Sequence, residues 1–220
     1  MTTVERKRSS WAQLFWGIVF YVSIMFGIWR GYDLHNQSWF YFFVLTGMAG
    51  IHGFYREGLK KIGLWPKSFR VAFAENGESL LGLVMLILFL GLWFGSIRYN
   101  DLSRLISNLA ATFIWGLFQQ YLLNGFFVNR LAGFFKDEKD PMIPWIAGGL
   151  FALVHLPNLF LMFVTFFGGW ACAKVFIKHQ DHRNLYFLGL AHGLVSWLLY
   201  IFVPDSIAHY YIVGPGYFTR

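Results

Sequence analysis

Apolar runs of bilayer length recur along the whole chain, and they leave no stretch in which a water-soluble domain could fold. A spanning helix needs about 20 mostly apolar residues. Such runs cover 11–29, 38–54, 79–97, 105–129, 144–156, 158–177 and 184–203. In hydrocarbon every backbone N–H and C=O must be satisfied within the protein, and a helix does this inside each segment. The predicted fold is therefore all-α, a single polytopic membrane bundle of about seven transmembrane helices. Only 13% of the residues are charged, about half the share found in soluble domains. The 26 Phe, 10 Trp and 11 Tyr suit lipid-facing and interfacial surface. Cys172 is the sole cysteine, so an intramolecular disulfide is excluded.

A net charge of +7 would also suit a nucleic-acid partner. The basic residues, however, fall in short loops between apolar runs, a pattern that sets membrane orientation. With the N-terminus in the cytoplasm, 14 of the 18 Lys and Arg lie on the cytoplasmic side, in four groups within 6–8, 56–70, 130–139 and 174–183. The outer segments hold Arg30, Arg98, Arg104 and Arg220. This asymmetry predicts an N-in, C-out topology. The first run ends in Trp29 and Arg30 without a small-residue cleavage site, so it reads as a retained helix and not a signal peptide. Between Tyr55 and Phe73, Lys and Arg alternate with Leu59, Ile62, Leu64, Trp65 and Phe69, which predicts an amphipathic segment in the headgroup plane, broken at Pro66. The predicted organisation is N-terminal transmembrane helices over 1–54, an interfacial segment over 55–78 and a membrane core over 79–220. Compact size and short loops fit a bacterial inner membrane.

All eleven Asp and Glu residues fall in loops or at run ends. The polar residues inside the runs are Gln119, Gln120 and Asn124 in the fourth, His155 in the fifth and His192 in the seventh, with Asn158 at the Pro157 turn. Polar groups in a membrane are costly and mark functional sites. Gln120 lies about 15 Å from its cytoplasmic helix end, His155 about 16 Å and His192 about 14 Å, at 1.5 Å per residue. Three helices thus bring polar groups to one level. The alternative is a set of interhelical hydrogen bonds, each giving about 0.6 kcal/mol. Zinc catalysis takes three protein ligands. Two intramembrane histidines, with Cys172 nearer the cytoplasmic end, predict no metal, and no cofactor is expected. His35, His52 and His209 near run ends read as interfacial, and His179 and His182 as solvated loop residues. The Gly148-Gly149 and Gly168-Gly169 pairs read as close helix packing.

Three motifs follow in order. Gln119-Gln120-Tyr-Leu-Leu-Asn124 comes first, then Phe151-Ala-Leu-Val-His155 followed by Leu-Pro-Asn158, then His192-Gly-Leu-Val-Ser196. Over about residues 55–203 the chain resembles the CPBP family of intramembrane proteins, which includes type II CAAX prenyl endopeptidases and bacteriocin-immunity proteins. That family carries Glu-Glu-x-x-x-Arg, Phe-x-x-x-His and His-x-x-x-Asn/Asp helices. Here the first motif is neutral throughout and the third ends in Ser196. The resemblance implies a membrane-embedded endopeptidase-like protein, with His155, His192, Gln119 and Gln120 at the catalytic positions and Asn124, Asn158 and Ser196 against substrate. It implies a membrane-associated or lipidated protein or peptide as partner, beside the lipid bilayer itself. Glutamine cannot serve as the family's glutamate base, so hydrolysis would require His155 or His192 in that role. The second expectation is a pseudoprotease that binds such a partner through the same cavity. A proton relay or small transporter is the least supported class, because relays use an intramembrane Asp or Glu. A protease predicts a water-accessible cavity that reaches His155 and His192 from the cytoplasmic side.

Overall fold

The computed structural model describes residues 3–31, 38–95, 102–135, 137, 139–178 and 183–218. Among them no strand occurs. The elements are α1 (Thr3–Trp29), α2 (Ser38–Phe54), a short α3 (Leu59–Ile62) and α4 (Phe69–Phe94). Next come α5 (Leu102–Gln120), a π-helical segment (Tyr121–Val128) and α6 (Asn129–Phe135), which run on without a break. Then follow α7 (Met142–Leu153), α8 (Leu159–Lys178), α9 (Leu185–Phe202) and a short α10 (Asp205–Ala208). By length and composition, Trp11–Trp29, Pro66–Phe94, Leu159–Lys178 and Leu185–Phe202 can each cross a membrane.

Contacts among loops and helix ends define the two ends of the bundle. At the basic end Leu185 N donates to Gly63 O at 2.8 Å, and Arg183 Nη1 donates to Lys61 O at 3.2 Å. At the other end Gly214 N donates to Leu156 O at 2.7 Å, and Trp197 Nε1 donates to Leu105 O at 2.9 Å. Helices α1, α2, α4, the α5–α6 run, α7, α8 and α9 pass between these ends. The chain is a multi-pass, all-helical membrane bundle.

One boundary differs from expectation. Helix α4 begins at Phe69, ten residues before the run that starts at position 79. The amphipathic stretch therefore forms α3 and a Pro66–Ser68 turn only. No proline follows Pro66 before Gly95, so nothing in the sequence stops the helix from starting early. Of α4, only Ala72 is buried. Leu81, Met85, Phe89, Leu92 and Trp93 are all more than half exposed, as lipid-facing side chains are.

Burial at the basic end is not apolar alone. His52, read as interfacial, is only 4% exposed. Its Nδ1 lies 2.7 Å from Glu57 Oε2, in the loop after α2. Glu57 also accepts from Arg130 Nη2, and its Oε1 lies 3.1 Å from Lys61 Nζ. The Arg130 guanidinium packs against the rings of Tyr55, at 4.9 Å, and Phe126, at 5.4 Å. The sequence placed both charges in ordinary loops; the structure buries them because each is the other's partner. Burial alone would raise the Glu57 pKa. The His52 hydrogen bond and the Arg130 and Lys61 charges outweigh it and hold the carboxyl down at about 2.

A carboxyl held below its ordinary value stabilises the fold fully above that value, near 4.5, and the contribution fades as pH falls toward about 2. Removing one partner of a buried pair costs about 3–5 kcal/mol. Glu57→Gln is therefore expected to lower the thermal midpoint in detergent at neutral pH and to flatten the acid branch of the profile. An unchanged midpoint would show that the pair contributes nothing.

Candidate functional site

Helix α5 and helix α9 touch backbone to backbone. A Cβ on Gly116 would lie 2.7 Å from Gly189 O and 2.9 Å from Gly193 N, and one on Gly193 would lie 2.7 Å from Phe113 Cα. Only glycine allows this approach, and it carries His192 against the end of α5. There Gln120 Nε2 donates to His192 Nδ1 at 2.9 Å. The helix then widens into its π segment, a geometry that recurs at functional sites. Asn124 on that segment donates Nδ2–H to Gln120 Oε1 at 2.5 Å. Gln120 and Asn124 are both fully buried.

The hydrogen bonds assign the imidazole protons. An amide N–H can only donate, so with the amides in this orientation His192 Nδ1 accepts and its proton sits on Nε2. His155 is set the opposite way: its Nδ1–H donates to Phe151 O at 2.7 Å, which leaves Nε2 as the acceptor. The Phe151 ring meets both imidazoles edge-on, with centroids 5.1 Å from His155 and 5.6 Å from His192. One imidazole thus offers an acceptor and the other a donor.

Both line a cavity of about 640 Å³, together with Gln119 and Ser196. Its walls are apolar and aromatic, with hydroxyls from Tyr21, Tyr41, Thr112, Thr165, Tyr200 and Tyr211, and no Asp, Glu, Lys or Arg lines it among the described residues. The lining takes the last turns of α1 and α9 and the first turns of α2 and α8, and it ends at Gly31 and Val213. These turns belong to the half of the bundle opposite the basic loops, while Leu122, Leu123 and Phe127 carry the lining past Gln120 toward the basic end. Phe126 and Val128, on the same segment, are buried and do not line it.

Residues 101–198 match the family described as type II CAAX prenyl endopeptidase Rce1-like. Over that stretch the chain is similar to this family. No match was found among curated proteins or among solved structures. The matched region opens at α5 and extends through most of α9, so it contains the whole Gln120–His192 constellation.

Within this Rce1-like core, Gln119, His155, His192 and Ser196 line the cavity, while Gln120 and Asn124 form the chain behind it. Asn158 is employed elsewhere. Its Nδ2 donates to Ala208 O at 2.8 Å and Ile212 O at 3.1 Å. Its Oδ1 accepts from Leu161 N at 3.1 Å, so it caps α8 and fastens the C-terminal segment. Cys172 lies in the half of α8 nearer the basic end, as expected, and packs against the core. The cause is a second close approach: a Cβ on Gly148 would lie 2.6 Å from Phe166 O. Gly169 packs on Gly148 and Phe151, and Cys172, three residues on, shares that helix face. Gly149 and Gly168 meet nothing within 4 Å, so only one glycine of each pair makes the contact. His209 is exposed and stacks near Tyr217, with centroids 4.9 Å apart. His35, His179 and His182 lie outside the described residues. The cavity hydroxyls were missed because Tyr and Thr count as ordinary members of an apolar run.

Gly193→Val should force α5 and α9 apart and separate Gln120 from His192. Overpacking of this kind costs about 1–3 kcal/mol. Nitrogen NMR of histidine-labelled protein is the direct readout: the wild type should show opposite neutral tautomers for His155 and His192, and the variant should lose the His192 pattern alone. Identical spectra would mean that the glycine contact does not position the ring.

Proposed function

We propose that this Rce1-like membrane protein binds an uncharged, apolar segment of a membrane-associated protein or lipidated peptide in the cavity lined by His155 and His192, and that it binds without hydrolysing. The observation that carries this reading is the state of Gln120. Both ends of its amide are committed, Nε2 to His192 and Oε1 to Asn124. An amide has no basic lone pair near neutral pH, so this residue cannot take a proton from water as a general base must. Asn124, in the place of the family's arginine, leaves no buried charge without a partner, a situation that would be costly. The chain from Asn124 through Gln120 to His192 is thus neutral throughout, and it ends at Asn124 Oδ1, which is buried without a hydrogen-bond partner among the described residues. A cavity with apolar walls, a few hydroxyls and no charged side chain among the described residues suits an apolar ligand oriented by one or two hydrogen bonds. The donor at His192 and the acceptor at His155 match the carbonyl and N–H of a peptide group.

A second reading is favoured by those opposite tautomers. His155 Nε2 could accept a proton from water as the oxygen attacks a peptide carbonyl, while His192 Nε2–H polarises the carbonyl oxygen. His155 would then return the proton to the leaving amine.

Comparison of protein N-termini separates the two. Membranes would be taken from cells with this protein, without it, and with His155→Ala and His192→Ala together. The binding reading expects the same N-termini in all three at equal expression. New N-termini seen only with the intact protein would overturn it and establish hydrolysis without a carboxylate base.

A further inference from the structure

We propose that the groove between the cytoplasmic ends of α7 and α8 is a binding site for an anionic phospholipid of the inner leaflet. The groove encloses about 390 Å³. Trp145 on α7 and Trp170 on α8 form its walls, with ring centroids 5.5 Å apart. Pro144 and Ile177, both buried, form the floor. Lys139, Lys174 and Lys178 stand exposed around the rim. Lys174 Nζ sits 4.9 Å from the centre of the Trp170 ring, which places a cation at the mouth and not out in solvent.

The level of the groove in the membrane identifies its occupant. Helix α7 begins at Met142 and α8 ends at Lys178, so the groove lies where the cytoplasmic headgroups lie. Tryptophan concentrates at that level, and lysine stems lie along apolar surface while their ammonium groups reach phosphate. Basic pockets between transmembrane helices on the cytoplasmic side hold anionic headgroups. A free anion would use the lysines but leave the indole walls and apolar floor without a partner. A phospholipid uses both, with phosphate on the rim and an acyl chain along Trp145 and Ile177. Among the described residues two carboxylates lie close by and are engaged on backbone: Asp140 Oδ1 accepts from Met142 N, and Asp137 Oδ1 from Lys139 N, each at 2.8 Å. Neither lines the groove. The site is separate from the uncharged cavity, which lies mostly in the opposite half of the bundle, so it stands whether or not that cavity hydrolyses peptides.

The test is native mass spectrometry of the full-length protein in detergent with added phosphatidylglycerol or phosphatidylcholine. A lysine near anionic headgroups gives about fivefold in affinity. Phosphatidylglycerol should therefore be retained at least tenfold over phosphatidylcholine. Lys139→Gln, Lys174→Gln and Lys178→Gln together should reduce that preference to about onefold. These lysines are exposed, so the variant should keep its lipid-free melting midpoint, and added phosphatidylglycerol should raise the midpoint of the wild type alone. Equal retention of the two lipids, or a preference that survives the triple variant, would overturn the proposal. Displacement of the lipid by millimolar inorganic phosphate would also overturn it, in favour of a free-anion site.

Discussion

The buried contact between Glu57 and Arg130 governs how the N-terminal helices meet the Rce1-like core. A guanidinium that is 1% exposed must be paired or it destabilises the fold. Its partner comes from the loop after α2, and α1 closes over it, with Gly17 placed so that a Cβ would lie 3.6 Å from Arg130 Cβ. The neighbouring residue extends the tie. Asn129 Oδ1 accepts from Arg183 Nη1 at 3.1 Å, and its Nδ2 donates to Lys61 O at 3.2 Å. Two adjacent residues therefore fasten α6 to the loops before α3 and before α9. The α5–α6 run is continuous, so fixing its cytoplasmic end also fixes the rotation of Asn124 and Gln120 upstream.

Charge and neutrality are separated along the membrane normal. The basic end holds Glu57, Arg130 and Lys61. The cavity lies mostly in the opposite half. A polar constellation there is stable when it is neutral and each member is bonded to the next. Asn124, Gln120 and His192 meet that condition in sequence. His155 meets it through the Phe151 carbonyl. The same logic explains why hydroxyls and amides, and not ions, line a space of this size.

Much of the site was legible before any fold was known. Counting residues from helix ends put Gln120 and His192 at one depth, and they meet at 2.9 Å. Other features were not legible. Arg130 and Glu57 resembled the other loop charges around them, since nothing local distinguishes a buried guanidinium from a solvated one. Cys172 was placed by its distance along α8, whereas its packing against the core depends on how closely α8 approaches α7 at Gly148 and Gly169. Asn158 shared the neighbourhood of the histidine motif, yet the returning C-terminal segment took its hydrogen bonds.

By itself the sequence determined that the chain is a helical membrane bundle, which end faces the basic side, and which polar residues stand apart from the apolar runs. These are local properties: hydropathy, run length and charge placement act on each segment alone. Tertiary structure decided which polar groups touch, which histidine nitrogen carries its proton, and that the cavity lies mostly in the half opposite the basic loops. Those outcomes depend on helix rotation and on backbone contact at Gly116, Gly189 and Gly193, where residues about 70 positions apart in the chain come within hydrogen-bond reach.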